Sequence, residues 1–180
     1  MKTLFYAIVA VGLLAGGWLG CGGKSTREDF NEGVSLYEQG SPAQATSRLE
    51  KAVRTNPDDP ELWHALALAQ SAEGRLEQAL ECYRRAEQLD PGNPRWKVGR
   101  GIVHNNLGQP DNALEAFRTA MKLNPDFAPA YYYLGRLKLD QGEVPAARKA
   151  FRRALKAEPG FAPAREALQA LPSDASAEKS

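Results

Sequence analysis

A chain of 180 residues holds one domain with short appendages. Its 23 Lys and Arg against 22 Asp and Glu leave no global charge to draw it onto nucleic acid. Its two cysteines, Cys21 behind an apolar stretch and Cys82 in a helical pattern, lack the spacing of a disulfide framework or a metal site.

The chain opens with Lys2, an apolar run from Leu4 to about Leu19, and then small residues, which is the order of a targeting segment rather than of a folded element. Residues 1–20 are therefore set apart as signal and h-region. Three fates are open. Cleavage after Gly17 releases a soluble chain, and no cleavage leaves a short signal anchor. Cleavage before Cys21 exposes a cysteine for lipidation. The Gly20–Cys21 pair followed by Gly22–Gly23 resembles the end of a bacterial lipoprotein signal, although Trp18 and Leu19 depart from its usual pattern. That resemblance implies lipidation at Cys21, a tether over 21–25 and a membrane-anchored chain facing the periplasm of a bacterial envelope. More than one acyl chain is what makes such an anchor stable.

From residue 26 the chain repeats. Pro57, Pro91, Pro125 and Pro159 stand 34 residues apart and divide it into units 26–59, 60–93, 94–127 and 128–161. Each unit carries a small residue (Gly33, Ala67, Gly101, Gly135), a turn glycine (Gly40, Gly74, Gly108, Gly142) and an alanine (Ala45, Ala79, Ala113, Ala147). A bulky residue follows (Leu49, Tyr83, Phe117, Phe151), then a second alanine (Ala52, Ala86, Ala120, Ala154). Small slots let two helices approach, and the bulky slot fills the gap they leave. The glycine ends a first helix, A, in a left-handed cap, and the proline stops a second, B. Pro42, Pro60, Pro94, Pro110, Pro129 and Pro163 fall where helices begin. No unit can bury its apolar face alone, so neighbours stack.

This pattern, clearest in "ELWHALALAQSAEGRLEQALECYRRAEQLDP" (61–91), resembles the tetratricopeptide repeat family across residues 26–161. The resemblance implies an all-α, right-handed α-solenoid of four helix-turn-helix repeats. Residues 162–171 read as a C-terminal capping helix and 172–180 as a disordered tail. The third unit departs from the pattern. Lys97 and Arg100 replace large apolar residues and Gly99 adds a second glycine to helix A, so the unit is either degenerate with Trp96 covering the gap, or locally adaptable.

Chemistry is not expected. His64 and His104 lie in different units without ligand-spaced neighbours, and phosphate loops, nucleophile elbows and HExxH are missing. No enzyme activity, cofactor or metal is implied. Binding is. The family resemblance places helix A on a concave face, with a peptide-binding groove of Phe30, Val34, Tyr37, His64, Leu68, Arg95, Val98, Ile102, Asn105, Asn106, Tyr132, Arg136 and Leu139. A chaperone-binding branch of the family clamps a terminal carboxylate with Lys and Asn. Here Phe30, Val34 and Ala65 occupy those places, so apolar anchors are expected instead. Units one and two sum to −6 and units three and four to +6. Much of the excess forms a basic outer patch of Arg148, Lys149, Arg152, Arg153 and Lys156, which is a solvated face, a docking site for an acidic partner or membrane, or one end of a weak head-to-tail self-association. The leading expectation is a lipid-anchored scaffold that binds extended or helical segments of other proteins during assembly of a pilus, a secretion system or outer-membrane machinery. The alternative is a soluble periplasmic or secreted chaperone that shields apolar client segments.

Overall fold

The computed structural model describes residues 23–172, with side chains from Thr26 onward; the signal segment, Cys21 and the last eight residues lie outside it. The described chain divides between Pro91 and Gly92 into two compact units. The first holds α1 (Gly23–Glu38), α2 (Pro42–Thr55), α3 (Pro60–Glu73) and α4 (Leu76–Leu89). The second holds α5 (Pro94–Asn106), α6 (Pro110–Leu123), α7 (Ala128–Asp140), α8 (Val144–Ala157) and the short α9 (Ala162–Ala170). In the first unit α1 pairs with α2 and α3 with α4, with α2 also on α3; in the second α5 pairs with α6 and α7 with α8, joined by α6 on α7 and α9 on α8. Among the described residues every regular element is a helix. Helix α1 begins at Gly23, so three of the five residues expected as tether are helical.

The 34-residue period sets each boundary by local chemistry. Gly40, Gly74, Gly108 and Gly142 sit at φ between 70° and 85°, a region that a Cβ penalises. The residue after each glycine donates its N–H back across the turn, as Arg75 does to the Gln70 carbonyl at 2.8 Å and Glu143 to that of Lys138 at 2.8 Å. These are the long bonds of a Schellman cap. The B helices stop two residues before Pro57, Pro91, Pro125 and Pro159, because the residue ahead of a proline is pushed out of the helical region. Asn56, Asp90, Asn124 and Glu158 there take φ near −140°, and each N–H still reaches the alanine carbonyl four residues back. Pro145 joins the helix-starting prolines at the beginning of α8.

The expected core positions are the buried ones. Leu49, Tyr83, Phe117 and Phe151 are at most 1% exposed and both alanine series are fully covered. A Cβ built on Gly101 lies 2.5 Å from the Phe117 ring, and one on Gly135 lies 2.5 Å from Phe151, so those glycines are the space the rings occupy. Helix α5 is continuous despite Gly99, Lys97 and Arg100, with Trp96 only 1% exposed.

Candidate functional site

In the first unit the helix-A face carries Phe30, Val34 and Tyr37 on α1 and Leu68 on α3, all half-buried and therefore partly open to solvent. Burial raises the Tyr37 pKa, so its phenol remains a neutral hydroxyl. His64 departs from expectation. It is 6% exposed, with its ring centroid 5.6 Å from that of Tyr83, and it packs in the interior. Asp29 pins α1 to α2: its carboxylate meets Lys51 at 3.1 Å and Arg48 at 3.5 Å while being only 6% exposed itself.

The second unit sorts its expected residues the same way. Val98 lies in a core with Phe117, Ala130 and Leu137. Tyr132 is 5% exposed, its ring 5.1 Å from Tyr133, 5.8 Å from Phe151 and 5.7 Å from Phe161. These two, with His64, leave the groove and join the packing, covered by the rings and aliphatic side chains around them. Ile102 and Leu139 stay half-buried, and Asn106 and Arg136 are exposed. Asn105 donates its side-chain N–H to the Asp140 carboxylate at 3.0 Å, which ties the ends of α5 and α7 together. Arg136 donates to the Tyr132 hydroxyl at 3.4 Å, and that bond, helped by Asp140, raises its pKa. Arg95 lies over the Trp96 ring at 5.0 Å. It stands at the start of α5, ten residues or about 15 Å of helix from Asn105. The polar residues of the expected groove are thus split: Asn105, Asp140 and Arg136 gather at one end, and Arg95 stays at the other.

The reading by residue type missed a set of turn ties. Trp63 donates its indole N–H to the Pro57 carbonyl at 2.7 Å, Tyr131 its hydroxyl to Pro125 at 2.9 Å, and Arg165 its guanidinium to Pro159 at 2.9 Å. Residues 63, 131 and 165 share one register of the 34-residue repeat, and that spacing was the signal.

Of the basic patch, Arg148 donates to the Pro172 carbonyl, while Lys149, Arg152, Arg153 and Lys156 line a cleft between α7 and α8. Among the described residues no group of three or more His, Cys, Asp or Glu could hold a metal ion. Cys82 donates its S–H to Gln70 at 3.2 Å. Burial first, then the negative charges of Glu81 and Glu50, push its thiol up to about 12, so it is held as an unreactive thiol.

A family model described as tetratricopeptide repeat matches residues 36–99 and 107–173. Among solved structures, the chain superposes on MamA with a TM-score of 0.63 at 21% identity, over 89% of this chain and 86% of that one. YrrB, described as a repeat protein with an unusual peptide-binding site, matches at a TM-score of 0.62 and 21% identity, over 81% and 75%. The first repeat domain of Spaghetti (RPAP3), bound to the HSP90 peptide SRMEEVD, matches at 0.54 and 23%, over 61% and 87%. At these identities the likeness is one of fold. No curated protein matches the chain in sequence.

Proposed function

The chain belongs to the tetratricopeptide repeat family, an all-α solenoid fold whose members serve protein–protein interaction, and from that premise we propose that it is a non-catalytic scaffold whose helix-A faces hold extended or helical segments of partner proteins. One observation carries the reading. Val34, Leu68 and Ile102 occupy one register, 34 residues apart, and each stays half-buried while the core registers close to 1% exposure or less. A repeated aliphatic side chain left partly open on one helix face is an anchor site for a partner's apolar residue. Arg136 occupies the same register on α7 as an exposed cation beside Asp140, giving that helix a polar contact. The HSP90 peptide of the Spaghetti complex, SRMEEVD, closes on Glu-Glu-Val-Asp. Phe30, Val34 and Ala65 offer no polar clamp for such an end, so the partner here is held by apolar anchors along its length.

The Gly20–Cys21 pair behind the apolar run supports an acylated cysteine, and with it a place for the scaffold on a bacterial envelope membrane. Pilus, secretion or outer-membrane assembly would draw on such a scaffold. The helix-A reading is tested by panning a random peptide library displayed on phage against the chain. Enriched peptides should carry apolar anchors and lose about tenfold in affinity or more against Leu68→Asp and Arg136→Glu, with helicity unchanged. Wild-type affinity in both variants removes helix A as the binding face.

A further inference from the structure

The second unit also carries a cleft whose lining shares no residue with the proposed helix-A anchors. This cleft, of about 460 Å³, opens between α7 and α8. Its floor is Tyr131 and Leu134 from α7 and Ala146 and Ala150 from α8. Around α7, Leu134 lies about 140–160° from Arg136 and Leu139, and Tyr131 about 140° from Arg136, at 3.6 residues per turn. The hydroxyl of Tyr131 is already bonded to the Pro125 carbonyl, so the floor offers mainly carbon.

Four cations line the same cleft: Lys149, Arg152, Arg153 and Lys156. Their spacing of three, one and three residues puts them on one face of α8, along about 10 Å of its axis. No carboxylate lines the cleft. Neither Lys149 nor Lys156 has an ion-pair partner among the described residues, and Arg153 lies over the Tyr131 ring at 5.6 Å. An apolar trough edged by one sign of charge selects a ligand with both features.

The geometry points to this cleft as a second docking site, for an acidic peptide segment that seats an aliphatic or aromatic side chain between Tyr131, Leu134 and Ala150 and sets its carboxylates against the α8 cations. Charge complementarity names the occupant. A flat anionic bilayer would meet the cations and leave the trough between the two helices unfilled. A peptide fills it, and carboxylates three or four residues apart on a helical segment match the cation spacing. The site is independent of the helix-A reading, since none of its residues belongs to that face.

The test uses the full-length chain in detergent and a fluorescein-labelled acidic peptide of Glu and Asp with two Leu anchors four residues apart, read by fluorescence anisotropy. Binding should weaken about tenfold or more in a Lys149→Glu, Arg153→Glu double variant, which reverses two exposed charges, and should fall steeply with added salt. It should weaken comparably when the peptide's Leu anchors become Ser, and should be unchanged in Leu68→Asp. Circular dichroism confirms that each variant is folded. Binding that survives the double reversal, or that ignores the anchors, overturns the proposal. So does displacement of the peptide by short-chain phosphatidylglycerol together with indifference to the anchors, which would make the patch an anionic-lipid surface. Loss in Leu68→Asp alone would assign the peptide to the helix-A face and overturn it as well.

Discussion

At Gly101 two opposing effects can be weighed. Alanine is the better helix former by about 1 kcal/mol. Yet a Cβ there would lie 2.5 Å from the Phe117 ring, which is itself fully buried and has no room to swing aside. Overpacking of that kind costs about 1–3 kcal/mol, so Gly101→Ala should destabilise the protein in urea denaturation. In a Phe117→Ala background the clash is gone, and the same substitution should become neutral or stabilising by the helix-propensity difference; unchanged cost in both backgrounds would show that the ring is not the cause. The sequence made this pairing legible because a small residue and a bulky one recur sixteen positions apart in every unit. It was less informative about His64, Val98 and Tyr132. Helical spacing puts all three on the side of helix A that bears the open register, but it does not say where that side ends and the core begins. The answer lies in side chains from other parts of the same unit, such as Tyr83 beside His64 and Phe161 beside Tyr132.

The turns between hairpins show how one period can run on different chemistry. Asp59 and Asn93 cap α3 and α5 by accepting the N–H of Glu61 and Arg95, at 2.9 Å and 3.1 Å. The next two copies of that position are Phe127 and Phe161, which cannot cap. Losing a cap costs about 1 kcal/mol, whereas burying a phenylalanine side chain is worth about 1.5–3 kcal/mol, so the exchange favours the aromatic where a pocket exists. Phe161 has one, edge-on to Tyr132. The ties to the proline carbonyls are equally varied. Trp63, Tyr131 and Arg165 look unrelated when residues are sorted by type, and only their shared register and shared acceptor make them one device. Trp63→Phe keeps most of the apolar surface and removes the N–H, so it should cost about 1 kcal/mol, the net worth of one hydrogen bond, visible as a lower thermal midpoint. A midpoint equal to that of wild type would mean that the bond to Pro57 adds nothing to stability.

For the whole chain the question is what the first twenty-odd residues do with the repeats behind them. Residues 26–59 carry 4 basic and 7 acidic groups and residues 128–161 carry 7 basic and 3 acidic, so the end nearest the proposed anchor is the acidic one. Helix α1 begins at Gly23, two residues beyond Cys21. At about 3.6 Å per extended residue, an acylated Cys21 would hold the start of α1 within roughly 7 Å of its lipid. A diacylglycerol with a further acyl chain would make that placement lasting, where a single chain would release it. Intact-mass measurement of the chain purified from a bacterial membrane fraction distinguishes the fates of the N-terminus. The lipoprotein reading expects a polypeptide beginning at Cys21 with added acyl mass, and Cys21→Ser should lose that mass. An unmodified chain beginning near Trp18 would instead make the repeats a soluble scaffold. Retention of Met1 would leave a signal anchor, with the apolar run to Leu19 in the bilayer and α1 starting four residues beyond it. The lipidated outcome would bring the acidic first hairpin near the headgroups, where an anionic leaflet would repel it.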